Sequence, residues 1–184
     1  MEKMNFIAWM LPVIFMIHDF EEIIMAEVWD KRFHSRIVKV FPKRRPFGLG
    51  AVLRWQTPVL SIAVAIEFLL FSLISYLSVA SQNYLIWFSA FLGLLLHMVF
   101  IHILISFPFK GYVPGVVTSA IMLIPGIYYL IKAQSILMYD TATLLLAGVI
   151  GIALLAAILP LLHKFMSVAD AWLDRYSRAA SNHE

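Results

Sequence analysis

Long apolar runs separated by short polar breaks dominate the chain. Five of them approach the ~20 residues that a bilayer-crossing helix needs, at about 5–26, 58–79, 84–107, 113–131 and 141–162. Without water to satisfy backbone N–H and C=O groups, such runs must be helical. The pattern therefore predicts an all-α integral membrane bundle of about five transmembrane helices, with 1–184 forming a single domain. Pro58, Pro108 and Pro114 fall at run edges, where a missing N–H costs little, whereas Pro12 and Pro125 fall inside runs and predict kinks. Ser81-Gln82-Asn83 is only long enough for a tight hairpin, so the second and third helices are expected to be antiparallel neighbours.

Composition supports this reading. The chain is 62% hydrophobic and 14% charged, against ~45–50% and ~25% in soluble domains, which excludes an ordinary soluble fold. Charge adds a direction. Of the basic residues, Lys31, Arg32, Arg36, Lys39, Lys43, Arg44, Arg45, Arg54, Lys110, Lys164, Arg175 and Arg178 fall on one side of the expected membrane, and only Lys3 and Lys132 on the other. The positive-inside rule then places the N-terminus outside and the C-terminus in the cytoplasm of a multi-pass protein of the cell inner (plasma) membrane. The net charge of +3 marks that face, and no nucleic-acid motif accompanies it, so no nucleic-acid partner is expected. Trp29, Phe33, Ile37, Val40 and Phe41 alternate with charges, and Phe165, Val168, Ala169, Trp172, Leu173 and Tyr176 have helical spacing; both segments are expected to lie along the headgroups as interfacial helices. Glu2 and the lack of a small-residue cleavage site argue that the first run is retained. With no cysteine, any metal must be held by His, Asp, Glu or backbone oxygen.

The first run is interrupted by His18-Asp19-Phe20-Glu21-Glu22. Ionisable groups at bilayer depth each cost at least ~2.5 kcal/mol on insertion scales, so this cluster needs partners or a function. Counted from the cytoplasmic helix ends at ~1.5 Å per residue, His18, Glu22, Glu67, His97 and His102 lie within roughly 10 Å of one another along the membrane normal. Three helices can thus share one polar site. His18 can face the same way as Glu21 and Glu22, although adjacent glutamates diverge by ~100°. His97 and His102, five apart, are some 140° out of phase on an α-helix and can flank one site only if the helix stands edge-on or is locally distorted. Each residue has an ordinary alternative. Glu21 and Glu22 fit near-interface acids, as do Glu27 and Asp30; Glu67 fits a protonated acid hydrogen-bonded in the bundle, and His97 a neutral packing histidine. His34, His163, His183 and Asp140 read as surface.

These residues resemble the HXXEE family of small bacterial membrane proteins, whose His-x-x-Glu-Glu signature is His18, Glu21 and Glu22 here. Tyr112-Val113-Pro114-Gly115-Val116-Val117-Thr118 is similar to the family's Tyr-x-Pro-Gly segment, which follows a histidine-bearing helix. The resemblance implies that His102 occupies the family histidine and that Tyr112, Pro114, Gly115 and Thr118 shape the site. Where the family often has an asparagine, a turn before that histidine, this chain has Met98, and His97 is available as a substitute. The resemblance implies a site, without a reaction or a substrate.

Imidazoles with carboxylates suit a divalent metal, zinc or iron, held by His18, Glu21, Glu22, Glu67, His97 and His102. The expected function is a metal-dependent membrane enzyme, hydrolase or oxidoreductase, acting on a lipid or other apolar small molecule with Glu21, Glu22 or Glu67 as acid or base. A metal-free acid–base lipid isomerase or an intramembrane protease is the main alternative; the arginine that the CAAX-processing glutamic proteases carry four residues after Glu-Glu is missing, Ala26 standing there. An ion or proton transporter is a third, but the outer halves of the helices are nearly all apolar. A homo-oligomer is compatible with the sequence.

Overall fold

In the computed structural model, which describes residues 2–41 and 56–180, the apolar runs are helices and the described residues contain no strand. The chain forms α1 (Glu2–Ala8), α2 (Met10–Val40), α3 (Thr57–Ser81), α4 (Leu85–His97), a π-helical segment (Met98–Ile103), α5 (Leu104–Phe109), α6 (Val116–Leu137) and α7 (Thr141–Ala180). Among the described residues, four stretches are long and apolar enough to cross a membrane: Thr57–Ser81, Leu85–Phe109, Val116–Leu137 and Thr141–Arg178. The run expected at 5–26 is split at Trp9 into α1 and α2, and α2 has the length to span but carries the charged cluster.

Pro12 contributes to the joint between α1 and α2. Having no N–H, it leaves the carbonyl four residues back, that of Ala8, without its helical donor. Ser75 Oγ on α3 and Trp87 Nε1 on α4 each donate to that oxygen at 2.8 Å. A backbone defect in the first helix thus becomes the point at which two other helices are pinned, all within the apolar core around Leu11, Phe91 and Trp87. Pro125 lies within the unbroken helix α6. The expected hairpin is present: Gln82, at φ 54°, ends α3, and Tyr84 OH and Gln82 Nε2 both donate to Asn5 Oδ1.

Charged residues of α2 fasten the ends of other elements. Glu27 Oε2 accepts from the Thr57 N–H at 2.8 Å and its hydroxyl at 2.9 Å, satisfying one of the orphan donors at the start of α3. Further along, Trp29 Nε1 donates to the Tyr112 carbonyl at 2.8 Å, and Arg36 donates to the carbonyls of Phe109 and Lys110 at the end of α5. The segment expected along the headgroups follows the rest of α2 across a kink at Phe33 (φ −116°, ψ 15°), and it buries Trp29 and Ile37 against Phe109 and Val113. Likewise the C-terminal tail is no separate interfacial helix but the continuation of α7.

Helices α4 and α7 approach through glycine. A Cβ on Gly151 would lie 2.5 Å from the Ser89 carbonyl oxygen, and one on Gly93 would lie 2.9 Å from the Gly151 oxygen. Small residues let membrane helices gain close van der Waals contact where lipid gives no hydrophobic drive. Gly151→Ala is expected to force the two backbones apart and destabilise the bundle by roughly 1–3 kcal/mol, as overpacking does, measured as a lower unfolding midpoint in SDS titration.

Candidate metal centre

The π-helical segment resolves the phase problem of His97 and His102. Its wider turn, with i to i+5 bonding, brings residues five apart onto one face, and the two Nε2 atoms lie 2.9 Å apart. His102 Nε2 is also 2.9 Å from Glu22 Oε1, His18 Nε2 is 3.4 Å from it and His97 Nε2 is 4.0 Å from it. One ligand atom from each of His18, Glu22, His97 and His102 lies within 4.8 Å of all the others.

The second nitrogens of two of these rings fix their protons. His102 Nδ1 stands 2.8 Å from the Pro114 carbonyl. A carbonyl can only accept, so Nδ1 carries the hydrogen and the neutral ring points its Nε2 lone pair at Glu22. His18 Nδ1 lies 3.1 Å from Thr118 Oγ1, whose own hydrogen has a nearer acceptor in Glu21 Oε2 at 2.6 Å. His18 Nδ1 is therefore the donor, and its buried Nε2 has no hydrogen-bond partner. Lone pairs of imidazole converge on a carboxylate in the bundle interior, an arrangement that repels itself unless a metal ion or a further proton lies among them. Tetrahedral zinc at ~2.0–2.1 Å from nitrogen would hold its ligand atoms roughly 3.3 Å apart, and the His97–His102 separation and the three from Glu22 Oε1, 2.9 to 4.0 Å, bracket that spacing. The group could hold a metal ion, with the outer-ring partners that usually orient ligating histidines.

The segment 112–118 supplies those partners. Gly115, at φ +82°, has His102 Nδ1 only 2.5 Å from where a Cβ would be, so glycine is needed both for the backbone conformation and for the ring's approach. Tyr112 OH donates to Glu21 Oε1 at 2.7 Å, and the Thr118 N–H donates to Glu21 Oε2 at 2.7 Å. Burial, and next the bond to Glu21, push the Tyr112 phenol above its ordinary range, keeping it a donor.

The two glutamates of the signature are thus placed apart. Glu22 sits in the four-residue group, whereas Glu21, named as a candidate ligand and catalytic residue, sits at the N-terminus of α6, where unpaired N–H groups favour a carboxylate. Glu67 is not within the four-residue group either. It lines an adjoining cavity of about 90 Å³ between α2, α3, α4 and α7, together with Asp19, Glu22, His97 and His163. Sequence reasoning passed over Asp19, which lies three residues before Glu22 on the same helical face, a spacing that could have revealed it. His163, read as surface, faces this cavity because α7 continues as helix beyond the expected end of the span.

Spanning-length helices around a buried His/Glu group define a helical membrane protein. The chain belongs to the family described as "Protein of unknown function with HXXEE motif", whose profile matches residues 9–130 and so covers α2 to most of α6. Neither the curated proteins nor the solved structures contain a match to the chain.

If Glu21 is an anchor for α6, Glu21→Ala should leave the Thr118 N–H and the Tyr112 hydroxyl without their acceptor and lower stability by about 1–3 kcal/mol. Thermal unfolding in detergent tests this; a Glu21→Ala protein as stable as the wild type would remove the anchoring role.

Proposed function

We propose that the protein is a metal-dependent integral membrane enzyme acting on a lipid or other apolar substrate. The observation that supports this most is the convergence of three imidazoles on Glu22, with His18 and His102 each locked by a donor bond from Nδ1. Those two rings and Glu22 are the three-residue set that a catalytic zinc site requires. His97 is the fourth: its Nδ1 is buried without a partner, and its ring lines both the metal group and the cavity. It therefore occupies the position a substrate would have to share.

A zinc ion held there would supply Lewis acidity and an acidified water, and iron would add redox chemistry. The chain's own residues do the rest. The cavity presents apolar side chains from four helices, which exclude water and accept an apolar substrate. Glu67 faces the same space from α3 without belonging to the ligand set, so it is the carboxylate placed to take or return a proton. Pro114, Gly115 and Thr118 hold the rings in register, and Tyr112 and Glu21 hold α6 so that they can.

A metal-free reading draws support from the 2.9 Å separation of His102 Nε2 and Glu22 Oε1, which is also that of a hydrogen bond from a protonated imidazole. In that case His102 and Glu22 would shuttle a proton directly, as in a lipid isomerase. Metal content decides between them. Protein purified without an affinity-tag metal should hold one zinc or iron per chain by elemental analysis, and His18→Ala should lose metal and activity together. An active wild type without metal, or stoichiometric metal retained in His18→Ala, would favour the proton shuttle.

The lipid-exposed setting carries an orientation with it. We place the N-terminus outside and the C-terminus in the cytoplasm of the inner membrane, with the His/Glu group in the cytoplasmic half, on the strength of the Lys and Arg distribution. A reporter fused after Glu184 should be active only in the cytoplasm and one inserted at Asn83 only outside; the opposite result at either position overturns the five-crossing arrangement.

A further inference from the structure

The cavity beside the metal centre has an unusual lining. Its walls are aliphatic and aromatic, from Phe15 on α2, Leu60 and Phe71 on α3, Leu94 on α4 and Leu155 and Leu162 on α7, among others. Its volume of about 90 Å³ is several times the ~10–15 Å³ that one water requires. Into this apolar space face three carboxylates, Asp19, Glu22 and Glu67, and two histidines, His97 and His163, while among the described residues its lining includes no Lys, Arg, Ser, Thr, Asn or Gln. Glu22 is engaged by the histidines. The other two acids have no such engagement. The Asp19 side chain is only 7% exposed, and its one polar contact among the described residues is His18 Nε2 at 3.9 Å, beyond hydrogen-bond distance. Glu67 makes no hydrogen bond or ion pair among the described residues. Buried carboxylates are normally paired, and among the described residues no Lys or Arg lines the cavity to pair Asp19 or the half-buried Glu67.

Anionic headgroups are recognised by Arg, Lys or clustered N–H donors, none of which this cavity presents from its side chains. Its charge is complementary to the opposite kind of ligand. We propose that the cavity is the binding site for a single-chain lipid bearing a primary amine, with the ammonium between Glu67 and Asp19 and the alkyl chain running along α3 and α7 towards Phe71, Ile74 and Ala90. The proposal names the substrate class of the enzyme proposed above and rests on that reading for any chemistry at the head, but occupancy itself needs only the carboxylates and the apolar walls.

The test uses the full chain in phosphatidylcholine nanodiscs, with three photoactivatable probes of equal chain length that carry a diazirine at the chain end: an n-alkylamine, an n-alkanol and an n-alkanoic acid. Mass spectrometry should map the amine cross-links to Phe71, Ile74 and Leu155, at roughly tenfold or more the yield of the acid, given what a desolvated charge pair is worth. Glu67→Gln should remove most of that preference. Filling the chain end with Ala90→Phe should abolish labelling at Ile74 for the amine and the alkanol alike. Equal or greater labelling by the acid in the wild type overturns the proposal, as does amine labelling confined to the exposed Leu69 and Leu73. The same samples are measured after chelation and after zinc loading. Amine preference that persists in metal-free protein supports the binding site whatever becomes of the metal reading. Zinc retained by protein that shows no amine preference rejects the amine and leaves the metal centre standing.

Discussion

Putting His18, Asp19, Glu21 and Glu22 on consecutive faces of one helix inside an apolar bundle is the constraint around which the rest of this fold is arranged. None of these groups can be left bare at that depth. Glu22 is answered by the imidazoles of α4 and the π-helical segment, and Glu21 by the first N–H groups of α6 and by Tyr112. Satisfying them requires α6 to start where it does, Gly115 to adopt a positive φ, and the helix after α4 to widen into a π turn. Each of those features would be unfavourable alone. Together they give His18, Glu21 and Glu22 on α2 polar neighbours and leave Asp19 looking into the cavity.

The same helix also organises the other end of the molecule. Glu27 starts α3, Arg36 holds the carbonyls that close α5, and Trp29 holds the Tyr112 carbonyl beyond it. A helix too charged to look like an ordinary span is the one to which the apolar helices are tied. Polar side chains reach backbone groups that the lipid could never satisfy, so the charged helix supplies the directional contacts and the apolar ones supply area.

Much of this was legible in the sequence. Run lengths gave the helices, and counting residues from their ends brought His18, Glu22, Glu67, His97 and His102 to one level; the structure gathers His18, Glu22, His97 and His102 into one group and sets Glu67 in the cavity beside it. The ~100° divergence of adjacent helical residues left room for a second role for one of Glu21 and Glu22, although both were expected to serve as ligands or catalytic groups. What could not be read was the π turn, because periodicity assumes a regular α-helix and then sets His97 and His102 apart. The capping role of Glu21 was equally hidden, since it depends on where α6 begins relative to α2, a tertiary fact. Tyr112, Pro114, Gly115 and Thr118 were picked out by resemblance alone, and only coordinates show that they act on the rings through Nδ1 and on Glu21.

The π turn has a further effect on the chain beyond it. Relative to an unbroken α-helix it amounts to one inserted residue, and each residue advances an α-helix by ~100°, so everything downstream is rotated by about that amount. Phe109, which ends α5 and packs on Trp29 and Phe33 with ring centroids 4.9 and 5.8 Å away, lies on the rotated side. The insertion that turns His102 toward His97 is therefore also the phase shift that presents Phe109 to α2. Deleting a residue from Met98–Ile103 to restore a regular helix would misalign the docking of α5 as surely as it would part the two histidines. The polar site and the cytoplasmic end of the bundle are in this sense a single trait, gained or lost in one step.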